Sequence, residues 1–170
     1  MIRFCIADRT LNFTRDVDWV QVRDKELPAR ELIVVVRLAM GRVGKVLVNS
    51  RVDVALAAGA AGVHLPSGSI AAPEWRAITP AGFLIGVSCH SLEDVVLAER
   101  EGADYAVFGP VFDPLSKAPD LPARGLEELG RVARAVRIPV LALGGITEEN
   151  AADCVAAGAA GVAGITMFRS

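Results

Sequence analysis

Aromatic side chains are scarce in this sequence: six phenylalanines, two tryptophans and one tyrosine among 170 residues. They do not interleave with the basic residues, which are scattered, and this argues against a base-stacking nucleic-acid surface. Charge of one sign is lacking too. The formal net charge of −2 calls for neither nucleic acid nor an anionic membrane as partner. No apolar run approaches the ~20 residues that span a bilayer. Charged residues interrupt the N-terminal stretch MIRFCIADR at once, so a signal peptide is not expected. Cysteine is limited to Cys5, Cys89 and Cys154, odd in number, far apart and without metal-ligand spacing. They read as reduced thiols in a cytoplasmic protein.

What is present is aliphatic. Half of the chain is hydrophobic, and the length suits one domain over 1–170 with a sizeable core. The string AAGAAGVHL at 57–65 returns as AAGAAGVAGI at 156–165, with a weaker echo, EGADYAVFG, at 101–109. In each, helix-forming residues run up to a glycine, Gly59, Gly102 or Gly158, where a helix end needs a left-handed residue. A short apolar segment follows, too short for a helix and without alternation, which fits a parallel strand buried on both faces. The repeated junction is therefore the helix-to-strand turn of a βαβ unit.

Eight strands are expected: Arg3–Ala7, Trp19–Arg23, Lys45–Asn49, Gly62–Leu65, Leu84–Ser88, Tyr105–Phe108, Val140–Leu143 and Gly161–Ile165. Helical patterns lie between them at Ala29–Met40, Val52–Ala58, Pro73–Ile78, Leu92–Glu101, Gly125–Val136 and Glu148–Ala157. This alternation predicts an α/β fold, a small (β/α)₈ TIM barrel, with an open doubly wound sheet as the rival. Only DRTLNFTRDV joins the first two strands, and TMFRS follows the last, so full helices are expected to be lacking after strands 1 and 8. Phe13, Trp19, Met167 and Phe168 are the residues available to cover that side, and a homodimer across it is one expected outcome.

Function in such a barrel gathers at the C-terminal strand ends. After strand 2, Gln21, Arg23 and Lys25 are spaced by two and share a face, which demands an anionic partner if it points inward. The loop after strand 6 carries Ser116 and Lys117, able to order donors around an anion. Gly144 and Gly145 after strand 7, and Gly164 and Thr166 at strand 8, either admit a phosphate closely or serve only as turns. His64 and His90 are structural hydrogen-bonded residues or proton carriers.

The stretches IADR, VQVRDK, VLVNSRVDVALAAGAAGVHL, GVSCHSLEDVVLAEREGADYAVFGPVF, SK and IPVLALGGITEENAADCVAAGAAGV, in this order, resemble the thiamine-phosphate synthase family and its TenI-type thiazole tautomerase relatives. The resemblance implies a (β/α)₈ barrel that joins a pyrimidine diphosphate to a thiazole phosphate and releases diphosphate. It implies that Gln21, Arg23 and Lys25 meet the diphosphate and that Asn49, Ser88, Ser116 and Lys117 are site residues too. Gly145, Ile165 and Thr166 would form the thiazole-phosphate cradle, and Lys25, His90 and Lys117 stand as catalytic candidates.

The sequence departs from that pattern where magnesium is held. Ser50 and Ser69 stand where the family has aspartates, and Pro114 where it usually has threonine. Two neutral hydroxyls do not replace two carboxylates on a hard cation, so no cofactor or metal is expected. The tautomerase branch has its histidine where this chain has Pro110. The implied function is a thiamine-biosynthetic protein binding a phosphorylated thiazole or similar ester. The alternatives are a metal-independent tautomerase using His90, Cys89 or His64, and a silent phosphate-ligand binding protein.

Overall fold

The computed structural model describes residues 1–14, 16–113 and 121–169. Eight parallel strands close in chain order into a barrel: β1 (Ile2–Ala7), β2 (Trp19–Val22), β3 (Lys45–Asn49), β4 (Gly62–Leu65), β5 (Leu84–Cys89), β6 (Tyr105–Phe108), β7 (Val140–Ala142) and β8 (Gly161–Gly164). β8 pairs back onto β1, Ile2 opposite Gly161, which decides for the barrel over the open sheet. The helices among the described residues are α1 (Ala29–Met40), α2 (Val52–Ala58), α3 (Ala72–Arg76), α4 (Leu92–Arg100), α5 (Gly125–Ala135) and α6 (Ala151–Ala157).

The repeated string folds the same way each time. Gly59, Gly102 and Gly158 carry positive φ of 73°, 81° and 121°. After each, an alanine N–H reaches back five residues: Ala60 to the Ala55 carbonyl, Ala103 to Ala98 and Ala159 to Cys154, at 2.9–3.0 Å. This closes the helix in the manner of a Schellman turn. The next N–H already belongs to the sheet, with Ala61, Asp104 and Ala160 donating to carbonyls of the preceding strand at 2.8 Å.

Four helices are shorter than expected, α4 and α5 by their last residue only. α6 begins at Ala151 rather than Glu148, because the Asn150 side chain binds the Thr147 N–H and the Gly145 carbonyl at 2.9 Å each and holds that segment in a turn. α3 spans only Ala72–Arg76, with Pro73 at its start.

No helix follows β1 among the described residues, and only a 3₁₀ turn, Thr166–Phe168, follows β8. The chain covers this side itself. Leu11, Phe13 and Phe168 are buried. Arg42 donates to the Leu11 and Phe13 carbonyls and lies 4.1 Å over the Phe13 ring, and Thr14 donates to the Phe168 carbonyl at 2.8 Å. Trp19, expected on that outer side, instead packs inside the barrel. A second copy is not needed to bury these residues.

Candidate functional site

The lumen is filled from below. Phe4, Trp19 and Tyr105 meet edge to face with centroids 5.2–5.8 Å apart, and Leu47, Val107, Leu141 and Ala163 complete the plug. Above it, His64 and Tyr105 both lie opposite Gly86 in register. A side chain at Gly86 would run into the Tyr105 ring. Because it has none, the His64 and Tyr105 rings stack across β5, centroids 5.7 Å apart.

That contact carries a short polar chain. Tyr105 Oη lies 3.0 Å from His64 Nδ1, and Ser88 Oγ lies 2.8 Å from His64 Nε2. With the tyrosine donating to Nδ1, Nε2–H donates to Ser88, whose own proton is free to point into the cavity above. Burial drives the His64 pKa from 6.5 down to about 3, so the imidazole is neutral and is not a proton carrier at physiological pH. The unfolded chain, with the ordinary value, binds a proton that the folded chain refuses. Stability therefore falls as pH drops from 7 towards 5, by at most about 1.4 kcal/mol per pH unit from this group. Urea unfolding at several pH values should show this slope, and His64→Gln should flatten it. An equal slope in the variant would assign the effect elsewhere.

The cavity over the strand ends has a volume of about 510 Å³, within the range of small-molecule sites. Gln21, Arg23, Lys25, Asn49, Ser88, His90 and Ile165 all line it, together with Ser50, His64 and Ser67. Gln21 is buried at 2% exposure and its amide has no partner among the described residues. Lys25 and Arg23 likewise lack a carboxylate there, although Asp24 lies between them in the chain. Arg9 explains this. Its guanidinium takes Asp24 in a two-point contact at 2.5 and 2.7 Å and also reaches Glu26 at 2.9 Å. That contact, helped by the Glu26 and Leu27 N–H groups, lowers Asp24 to about 2. The acid is consumed, and two cations remain facing the cavity.

His90 accepts no proton through Nδ1. That nitrogen lies 2.7 Å from the Gly109 carbonyl, which only accepts, so Nδ1 carries the proton and Nε2 is the basic nitrogen. Cys89 lines a separate groove behind β5, and burial raises its thiol to about 12. This removes it as a proton carrier near neutrality.

Gly144, Gly145, Gly164 and Thr166 do not line the cavity. A Cβ on Gly144 would lie 2.6 Å from Pro110, one on Gly145 2.7 Å from the Phe112 side chain, and one on Gly164 3.2 Å from Met167. These glycines let the β7 and β8 ends pack closely against neighbouring segments. Ser116, Lys117 and Pro114 lie outside the described residues. Tyr105 was not picked out as a site residue. The available signal was a lone tyrosine two residues before Val107, on the lumen face of an apolar strand.

A sequence model described as thiamine monophosphate synthase matches residues 7–168. The chain belongs to that family. A thiamine-phosphate synthase of Methanoculleus marisnigri is 46% identical over 153 residues, covering 88% of this chain and 72% of the relative. One from Methanocella arvoryzae is 41% identical over 172 residues, covering 97% and 79%. The structure of a thiamine phosphate pyrophosphorylase from Pyrococcus furiosus superposes with a TM-score of 0.80 at 32% identity, covering 97% of this chain and 85% of that one.

Family membership raises the question of magnesium, and the residues here do not suit it. Ser50, at the first acid position, sits at φ 61° with its hydroxyl accepting from Asn49 Nδ2 at 3.0 Å. Ser69 lines the groove behind β5 and not the cavity, and Ser67 lines both. Asp24 is bound by Arg9, and Asp8 by Thr10. Among the described residues no group of three or more His, Cys, Asp or Glu could hold a metal. Neutral hydroxyls and an amide do not make a site for a hard divalent cation. No helix of the described residues is long and apolar enough to cross a membrane.

Proposed function

We propose that the strand-end cavity binds a phosphorylated thiazole or a similar phosphate ester. The observation that carries this reading is that Arg23 and Lys25, neither of them in an ion pair among the described residues, line one cavity together with Gln21. Charge left unpaired in a concave wall favours an oxyanion. Arg23 and Lys25 take the anionic group, Gln21 and Asn49 orient polar atoms of the ligand, and Ser88, fixed by His64, donates a hydrogen bond to it.

Family membership supports thiamine-phosphate synthase chemistry: the thiazole nitrogen attacks the pyrimidine methylene carbon and diphosphate departs. Departing diphosphate needs its charge neutralised. Here only Arg23, Lys25 and neighbouring donors are available for that, so turnover is slow and independent of magnesium. A second reading, a metal-independent tautomerase, is favoured by one observation: His90 presents Nε2 as a base while Gly109 fixes its tautomer.

Calorimetry with thiazole phosphate and pyrimidine diphosphate, each with and without magnesium, tests the proposal. Thiazole phosphate is expected to bind equally well in both conditions. A magnesium-dependent affinity and a robust synthase rate would overturn the metal-independent reading. Failure of both ligands to bind would overturn the cavity assignment. Thiazole phosphate binding with neither synthase nor tautomerase turnover would identify a binding protein.

A further inference from the structure

β1 and β8 are neighbours, and the segments after them are short. Beside their C-terminal ends lies a second cavity of about 360 Å³. Asp8 and Thr10 wall it on the β1 side, Arg23 on the β2 side, and Ile165 and Arg169 on the β8 side. Arg23 and Ile165 also line the main cavity, so the two spaces share one partition.

The charges in this side cavity do not balance. Arg23 and Arg169 bring two guanidinium groups, and neither side chain has a hydrogen bond or ion pair among the described residues. Among the described residues one carboxylate, Asp8, faces them, and it is engaged: one of its oxygens accepts the Thr10 N–H at 2.9 Å and the Thr10 hydroxyl at 2.6 Å. Those bonds, and more weakly the nearby Arg169 charge, hold Asp8 below its usual pKa, so it stays ionised without cancelling both arginines. Among the described lining residues one net positive charge remains, in a concave space open to small solutes.

We propose that the side cavity is a second anion site, taking a phosphoryl group between Arg23 and Arg169. Two planar donor forks from separate elements suit a tetrahedral oxyanion with several lone pairs better than a two-oxygen carboxylate. The inference extends the main-cavity reading, resting on it only for the shared Arg23. The protein would then hold two phosphoryl groups, one on each side of that residue. The second group is either free phosphate or the phosphate of an ester reaching across the partition.

The test is calorimetric titration of the full chain with inorganic phosphate, comparing wild type, Lys25→Ala, Arg169→Gln and Arg169→Glu. Arg169 is exposed and outside the main cavity, and melting curves check that its variants fold. Two phosphates are expected to bind the wild type. Arg169→Gln weakens one of them about tenfold, as expected for loss of a charge-assisted contact, and Arg169→Glu abolishes it, while Lys25→Ala leaves that site intact. Phosphate binding unchanged in either folded Arg169 variant overturns the inference. Loss at Arg169 with no effect of Lys25→Ala upholds it and overturns the main-cavity reading instead. A parallel titration with thiazole phosphate separates the sources. If the side cavity takes the ester phosphate, Arg169→Gln weakens the ester; if it takes free phosphate, the two bind together.

Discussion

Substituting Gly86 by valine is expected to lower the melting temperature by about 6–12 °C. The position has no room. His64 and Tyr105 lie opposite it from either side, and an added Cβ would enter the Tyr105 ring. Tyr105 is fully buried in the aromatic plug, so it cannot move aside without displacing Phe4 and Trp19. Overpacking of a tight core costs about 3 kcal/mol at the upper end of the usual range, and each kcal/mol is worth ~2–4 °C in a domain of this size. The same change parts His64 from Tyr105, so the acid-dependent loss of stability ascribed to His64 should change with it. Gly44→Ala is the control, because a Cβ there meets nothing within 4 Å. A Gly86→Val melting curve matching the wild type would mean that the plug is not packed as described.

Lys25→Ala should weaken thiazole phosphate binding by roughly 10–100-fold without altering stability. The side chain is exposed and has no ion pair among the described residues, and Asp24, its neighbour in the chain, is held by Arg9. Its removal therefore leaves no buried partner stranded, and the whole effect falls on the ligand. A hydrogen bond to a charged group contributes about 1.5–3 kcal/mol, which at ~1.4 kcal/mol per tenfold gives the stated loss. Lys25→Arg keeps the charge and should recover much of the affinity, which calorimetry can follow. Unchanged affinity in Lys25→Ala would place the anion elsewhere. A lower melting temperature would show that the lysine has a structural role.

The barrel was legible in the sequence because its signals are local. A helix end at Gly59, Gly102 or Gly158 needs positive φ whatever surrounds it, and a short aliphatic run after it can only be a doubly buried strand. The strand-2 signature was legible for the same reason: a period of two puts Gln21 and Arg23 on the face of Trp19, and that face is the lumen. Other features depended on what other strands place nearby. Trp19 was expected outside and lies inside, since an aromatic residue at a strand start gives no sign of its face. The expectation for Gly144 and Gly145 is a phosphate contact or a turn, and Pro110 and Phe112 lie where their side chains would be. A glycine permits close approach without naming what approaches. The neutrality of His64, the vacancy at Gly86 that lets Tyr105 reach it, and the capture of Asp24 by Arg9 all join residues 15 to 41 positions apart. The sequence by itself determined the fold and the cationic character of the site, because backbone conformation and strand alternation act over a few residues. Tertiary structure alone decided which charges stay free and which rings meet, because pairing and desolvation depend on neighbours that only barrel closure supplies.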